Sequence, residues 1–270
     1  MLEVKNLQFH YPKQPLILDR INFRIEEKDC VCLLGPNGTG KTSLLKCLLA
    51  LHKPTGGQIL INGADIAHLS AGKRAAYMAY VPQASEFAFS YSAEEVVIMG
   101  RIAHLKPGMN PGRKDLEICR QVMKRLGIFH LARKQFNKMS GGEKQMFLVA
   151  RAMAQEARIL IMDEPTANLD YGNQVQMLKI IRQLSEEGYS ILMTSHYPDH
   201  ALRICNRVLL LKDGGIQKEG KPEEVLTTGT LTELYGTQVW VSEAMIEEIQ
   251  QKTRVCIPDI HIQKEEPVQS

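Results

Sequence analysis

The sequence predicts an α/β protein with a mostly parallel sheet covered by helices. Three observations carry that prediction. Short apolar runs, suited to buried strands, recur at Cys30–Leu34, 158–162, 190–194 and Arg207–Lys212. Segments of helical period lie between them, at about 172–187 and 198–204. Strands alternating with helices in this way favour parallel pairing. A glycine-rich turn also links the first run to a helix that begins at Lys41 and runs to about 51.

The remaining elements follow in order. Residues 2–10 and 16–25 read as strands from Val4, Leu7 and Phe9, then Ile17, Ile21, Phe23 and Ile25. Pro54 to Gly57 stops the first helix, and 59–61 and 77–81 are further strand candidates. The stretch 92–155 is helix-rich and basic, which suggests an inserted helical block. After Trp240 the chain becomes polar. Residues 255–262 alternate weakly like an edge strand, and Glu265-Glu266-Pro267 is expected to fray.

Composition narrows the function classes. The 270 residues carry 33 Lys/Arg against 30 Asp/Glu, a net charge of +3, with 44% hydrophobic residues. That is ordinary for a globular protein and excludes a disordered or fibrous one. No apolar run approaches the roughly 18 to 20 residues that span a bilayer. Met1-Leu2-Glu3-Val4-Lys5 is no signal peptide. The expectation is a cytosolic chain unless a partner holds it at a membrane. Cysteines 30, 32, 47, 119, 205 and 256 form no Cys-x-x-Cys pair, so zinc-ribbon and thioredoxin chemistry are excluded. Cys30 and Cys32 read as buried strand residues. Residues 101–138 hold ten Lys/Arg against Asp115 and Glu117. Solvated helix faces explain that charge, and proximity to anionic lipid is the sharper alternative.

Three motifs carry chemistry. Gly35-Pro36-Asn37-Gly38-Thr39-Gly40-Lys41-Thr42 fits G-x-x-x-x-G-K-S/T between a buried strand and a helix. Its glycines let backbone N–H groups approach phosphate, and the helix N-terminus favours negative charge. Lys41 should reach the β- and γ-phosphates, Thr42 should ligate Mg²⁺, and Ser43 should lie beside the α-phosphate. Second, the apolar run 159–162 ends in Asp163-Glu164, where two acids need a cation nearby. Asp163 suits Mg²⁺, and Glu164, leaving the strand in another direction, suits the base that polarises the attacking water. Third, Ser140-Gly141-Gly142-Glu143-Lys144-Gln145 opens a helix with one buried face, formed by Met146, Val149, Ala150 and Met153. Ser140 and Glu143 make a capping box. That box leaves both glycines unexplained, and close approach of an anion explains them.

Together these residues resemble the ATP-binding-cassette family of nucleotide-binding subunits over about residues 2–240. Residues 35–43 resemble its Walker A motif and 159–164 its Walker B. Residues 140–145 resemble its signature, with Met139 for the leading Leu and Glu143 for the Gln. Gln83 resembles the Q-loop glutamine, Asp170 the D-loop acid, His196 the switch histidine, and Tyr11 the aromatic that stacks on adenine. The resemblance implies a P-loop NTPase with core segments 1–85 and 157–240. It also implies an N-terminal antiparallel β subdomain, a helical subdomain at 86–156 and an extension at 241–270. ATP and Mg²⁺ are the implied ligands, with Mg²⁺ near Thr42, Gln83 and Asp163. Lys41, Gln83, Glu164 and His196 are the implied catalytic group. The family pattern is a head-to-tail homodimer, each ATP lying between one copy's Walker A and the other copy's Ser140, Gly141, Gly142 and Glu143.

The stretch from Glu95 to Leu105, with Gly100-Arg101-Ile102-Ala103-His104, resembles subunits of metal-chelate importers for iron-siderophore, haem or cobalamin. Residues 195–201 resemble the same group. The implied partners are two integral-membrane permease subunits and, indirectly, a substrate-binding protein, at the cytoplasmic face of the cell (inner) membrane. No nucleic acid is expected. Importers of zinc, manganese or molybdate are the alternative, and a soluble cassette protein a more distant one. A P-loop kinase would leave the signature helix and His196 unexplained.

Overall fold

The computed structural model describes residues 1–83, 90–106 and 108–260. The strands β1 (Leu2–Phe9) and β2 (Leu18–Ile25) pair antiparallel. Next, β3 (Cys30–Leu34) is buried at every position. A loop then leads into α1 (Lys41–Leu48). This helix ends short of the expected 51. Ala50 takes φ +52°, and the amides of Leu51 and His52 fold back on the Lys46 carbonyl. The chain thus builds a C-terminal cap without glycine. The strands β4 (Gly56–Ile61) and β5 (Ala64–Asp65) complete an antiparallel sheet of order β2-β1-β4-β5.

After these comes α2 (Ala71–Tyr77), capped by Ser70, and it runs directly into β6 (Met78–Val81). Then come α3 (Ala93–Ile98), α4 (Arg113–Arg125) and α5 (Gly141–Ala154). The expected start of the helical insert at 86 lies outside the described residues. The helix α5 departs from the one-faced expectation: Phe147, Leu148 and Ala152 are buried along with Met146, Val149, Ala150 and Met153. Both α3 and α4 pack on it while it also faces β6, so little of its circumference meets water. The chain continues with β7 (Ile159–Met162), α6 (Tyr171–Glu186), β8 (Ser190–Ser195), α7 (Pro198–Ile204), β9 (Arg207–Lys212), β10 (Gly215–Gly220), α8 (Pro222–Val225) and α9 (Thr228–Tyr235).

The main sheet has six strands in the order β10-β9-β3-β8-β7-β6. Every pair from β9 to β6 is parallel, and only β10 runs antiparallel, at the edge. Alternation along β3 divides the core. Cys30, Cys32 and Leu34 join the cluster that includes α5 and α6, while Val31 and Leu33 face α1 and the antiparallel sheet. Cys30 and Cys32 are therefore core residues, and the Cys30 thiol lies 3.7 Å from that of Cys205.

Two expectations gain detail from the structure. The edge strand expected at 255–262 is one arm of a hairpin, β11 (Val239–Ile246) and β12 (Gln251–Pro258). The backbone N–H of Cys256 ties it to Asp199 of α7 at 3.2 Å. Residues 261–270, including Glu265-Glu266-Pro267, lie outside the described residues. The local positive charge of 101–138 is also smaller at the surface than the count suggests. Arg101, Arg120, Arg125 and Lys134 are all in ion pairs, and Glu94, Glu143, Glu156 and Glu187 come from outside the segment. Among the described residues no helix is long and apolar enough to cross a membrane.

Candidate active site

Strand order alone gathers the candidate residues. The carboxyl ends of β3, β8, β7 and β6 lie side by side. They lead into the 35–42 loop, His196, Asp163-Glu164 and Gln83, in that spatial order. Ligands of parallel sheets bind outside this edge. Gln83 sits two residues past β6 and is exposed.

The 35–42 loop is built to face an anion. Gly38 and Gly40 take φ +81° and +98°, which side chains with a Cβ rarely adopt. No side chain caps the N-terminus of α1, so its first amides keep their donors for another partner. Thr39 Oγ1 donates to the Pro36 carbonyl at 3.0 Å. The buried Lys41 Nζ donates to the carbonyls of Gly35 at 2.6 Å and Pro36 at 2.9 Å. An ammonium has three donors, so a third remains. Burial lowers the Lys41 pKa, and the nearby Glu164 and Asp163 carboxylates oppose that shift.

Beside the first turn of α1, the Tyr11 hydroxyl lies 3.4 Å from Ser43 Oγ and also 3.4 Å from His52 Nε2, which follows the helix. Tyr11 meets Phe9 edge-on, and His52 stacks on Phe9 at 5.3 Å between centroids. No motif pointed to His52. It lies just past α1, and only the turn there carries it back to Phe9.

The two acids separate as expected. Asp163, 6% exposed, accepts from Thr194 Oγ1 at 2.8 Å and from Thr42 Oγ1 at 3.5 Å. Glu164 takes φ +46°, and its carboxylate meets His196 Nε2. The Glu164 N–H donates to Thr194 Oγ1 at 2.8 Å. The resemblance sends His196 toward a γ-phosphate; here it pairs with Glu164. Tyr80 also faces this edge. Its pKa is pushed up to about 12 by burial and by Asp163. Neither Thr194 nor Tyr80 was legible in the sequence, because each sits inside a strand of ordinary composition.

The signature segment forms the expected cap. Ser140 Oγ accepts from the Glu143 N–H at 3.3 Å, and the Ser140 N–H donates to Glu143 at 2.8 Å. Lys134 donates to both Glu143 oxygens, at 2.9 and 2.8 Å. This ammonium, with the Ser140 amide, holds the Glu143 carboxyl below its usual range. The acid that stands where the family pattern has an amide is thus neutralised locally. Gly142 has a second reason to be glycine: a Cβ there would come within 2.6 to 2.8 Å of the Asn173 side chain. Anion approach is therefore not needed to explain it, though it remains the reading for Gly141. Asn173 also donates to Asp170 from its backbone (2.8 Å) and its amide (2.7 Å), making Asp170 the N-cap of α6. The signature start and the Asp170 loop consequently share one side chain. Behind them, Gln145 Nε2 donates to the Pro82 carbonyl and Arg151 to the Tyr80 carbonyl, each at 3.2 Å. These bonds tie α5 to the strand that presents Gln83. Among the described residues no hydrogen bond or ion pair links 140–143 to 35–43.

In the Gly100–His104 stretch, Gly100 and Arg101 face inward while Ile102 and His104 are exposed. Arg101, 4% exposed, pairs with Asp115 at 2.9 Å and Glu156 at 2.6 Å and donates to the Ala154 carbonyl at 2.7 Å. His104 Nε2 lies 2.8 Å from the Gln155 carbonyl. Arg101 and His104 thus clamp the helical block onto the end of α5, while Ile102 stays 62% exposed.

The donor set fits Mg²⁺. Thr42 and Asp163 offer hard oxygens, and no group of three or more His, Cys, Asp or Glu among the described residues could form an all-protein cage. Mg²⁺ normally takes one or two protein ligands and completes its shell with water and substrate phosphates.

Comparison with known proteins agrees with this geometry. The ABC transporter family profile matches residues 18–167. An uncharacterised ABC transporter ATP-binding protein of Haemophilus influenzae is 39% identical, over 88% of this chain and 90% of that protein. A "probable iron chelatin transport ATP-binding protein" of Helicobacter pylori is 35% identical, over 91% and 98%. Among solved structures, an ABC transporter assigned to the metal-chelate type, in an inward-facing conformation, superposes with TM-score 0.85 at 31% identity. That match covers 95% of this chain and 96% of that one. A bacterial ABC transporter cassette solved as a dimer gives TM-score 0.73 at 26% identity, over 82% and 99%. The profile match over more than half of the chain and these relatives place the chain in the ABC transporter family, as an ATPase that uses ATP with Mg²⁺.

Proposed function

We propose that this chain is the ATPase subunit of an importer of metal complexes, an iron-siderophore, haem or cobalamin, working through a separate permease of two integral-membrane subunits. The observation that carries the substrate class is the full-length likeness to the transporter of metal-chelate type. The iron chelatin relative supports it. In this reading residues 1–240 form the ATPase, with its helical subdomain at 86–156, and 241–270 an extension. The subunit sits peripherally at the cytoplasmic membrane face, and a substrate-binding protein delivers the cargo.

The mechanism follows from the edge of the sheet. Amides of residues 38–43 and the Lys41 ammonium hold the β- and γ-phosphates, and Tyr11 packs on the adenine. Thr42, Asp163 and Gln83 would hold Mg²⁺, which would supply positive charge against the phosphates as a Lewis acid. Glu164 orients the attacking water and takes its proton as the water oxygen bonds to the γ-phosphorus and the bond to the ADP oxygen breaks. His196 exchanges its Glu164 partner for a γ-phosphate oxygen and reports that phosphate to β8. A second copy contributes Ser140, Gly141, Gly142 and Glu143 across the seam, beside its Asp170. The dimeric relative supports such a pairing.

Two experiments test this. The protein should co-purify with a metal-chelate permease and have its ATPase stimulated by that permease with its loaded binding protein. Failure to bind any such permease, with binding to one of another class, would replace the substrate assignment. Ser140→Arg should abolish the ATP-dependent dimer on a sizing column while leaving ATP affinity unchanged. Arginine adds bulk and a cation at a helix start that already carries a positive dipole end. Loss of ATP affinity in parallel would mean that Ser140 acts within its own chain.

A further inference from the structure

We infer that Thr194 is the positioning residue that gives the two adjacent acids different tasks. The inference rests on the reading of Asp163 and Glu164 above.

Thr194 is completely buried in β8. Its neighbour strand β7 runs parallel, with Met193 opposite Met162, so Thr194 stands beside Asp163. A hydroxyl offers one proton and two lone pairs, and this one uses both kinds of site on consecutive residues. The proton goes to Asp163 Oδ1 at 2.8 Å, and a lone pair accepts the Glu164 N–H at 2.8 Å. Thr42 Oγ1 reaches the same Asp163 oxygen, at 3.5 Å. Thr194 thus fixes which edge of the Asp163 carboxylate faces the start of α1.

Its second bond acts on the backbone. Glu164 takes φ +46°, a left-handed conformation that residues with a Cβ disfavour. Two hydrogen bonds hold it there: its N–H to Thr194, and its carbonyl from the Ala167 N–H at 3.0 Å. That turn carries the Glu164 side chain to His196 and leaves Asp163 facing Thr42. Threonine suits the position because its β-branch restricts χ1 and fixes the hydroxyl direction.

The test uses near-isosteric variants of the full chain. Thr194→Val keeps the volume and loses both bonds. We expect its kcat to fall about ten- to a hundredfold, the range for loss of a partner that orients a metal-ligating group. ATP affinity in EDTA should stay at the wild-type value, while the gain in affinity on adding Mg²⁺, read with a fluorescent ATP analogue, should shrink. Thr194→Ser should restore both. Thr194→Cys, smaller and a weak donor, should repeat the valine result should valine impair folding. Wild-type kcat and Mg²⁺ dependence in Thr194→Val or Thr194→Cys, with only a lowered Tm, would overturn the inference. So would a serine variant as impaired as the valine one. Glu164→Gln and Asp163→Asn, measured alongside, test the underlying reading on their own: rapid hydrolysis in both would remove the roles of the acids, whatever Thr194 does.

Discussion

Glu164→Gln is expected to cut ATP hydrolysis by at least about a hundredfold, the lower end for removal of a general base, and to leave ATP binding intact. The substitution is nearly isosteric. It keeps the backbone N–H that donates to Thr194, so the left-handed turn at Glu164 should survive. It removes the only charge that the side chain brings. Glutamine still orients a water but is a far weaker proton acceptor, so the step that needs proton removal slows while the phosphate contacts of the 35–42 loop persist. Loss of a negative charge beside the γ-phosphate also relieves repulsion in the bound state. The variant should therefore accumulate as an ATP-bound dimer, visible on a sizing column with ATP and Mg²⁺ and absent with ADP. Wild-type turnover would dismiss Glu164 as the base. A slow variant that stayed monomeric with ATP would keep the base and dismiss the seam.

How far the sequence led depended on whether a residue's role was set by its own neighbours in the chain. Cys30–Leu34 is recognisable as a buried strand from five consecutive apolar residues, and the glycines that follow mark a loop by spacing alone. Asp163 and Glu164 are conspicuous because they end an apolar run. Local signals failed in three ways. The helix α2 has no buried residue, so it leaves no apolar period to read. The hairpin β11–β12 depends on pairing between Val239 and Pro258, 19 residues apart, which no single stretch reveals. Thr194 and Asn173 matter through contacts across 31 residues to Asp163 and Gly142, and both are unremarkable in their own segments. Arg101 shows the opposite error. It counts toward the 101–138 charge read as solvated helix faces, whereas its guanidinium is buried between Asp115 and Glu156. A charge count carries no information on which partners the fold will supply.

Lys41→Ala is the second large effect, and its size should grade with the number of phosphates. The ammonium is buried against the Gly35 and Pro36 carbonyls, within electrostatic reach of Glu164 and Asp163. Alanine deletes the cation and leaves both acids facing the substrate without it. Each charge-assisted hydrogen bond lost to a phosphate oxygen costs about 1.5 to 3 kcal/mol. The one donor left to the ammonium can make one such bond to ATP, which corresponds to about ten- to a hundredfold in affinity, since each 1.4 kcal/mol is a factor of ten. The Gly35 carbonyl also loses its donor, which costs about 1 to 3 kcal/mol of stability if it stays dry. A melting curve is needed to separate that loss from binding. The nucleotide series makes the separation sharper. On the proposed role of Lys41 at the β- and γ-phosphates, ATP should lose most, ADP less and AMP almost nothing. A loop that had merely collapsed would weaken all three alike, because the amides that serve the α-phosphate would be displaced as well.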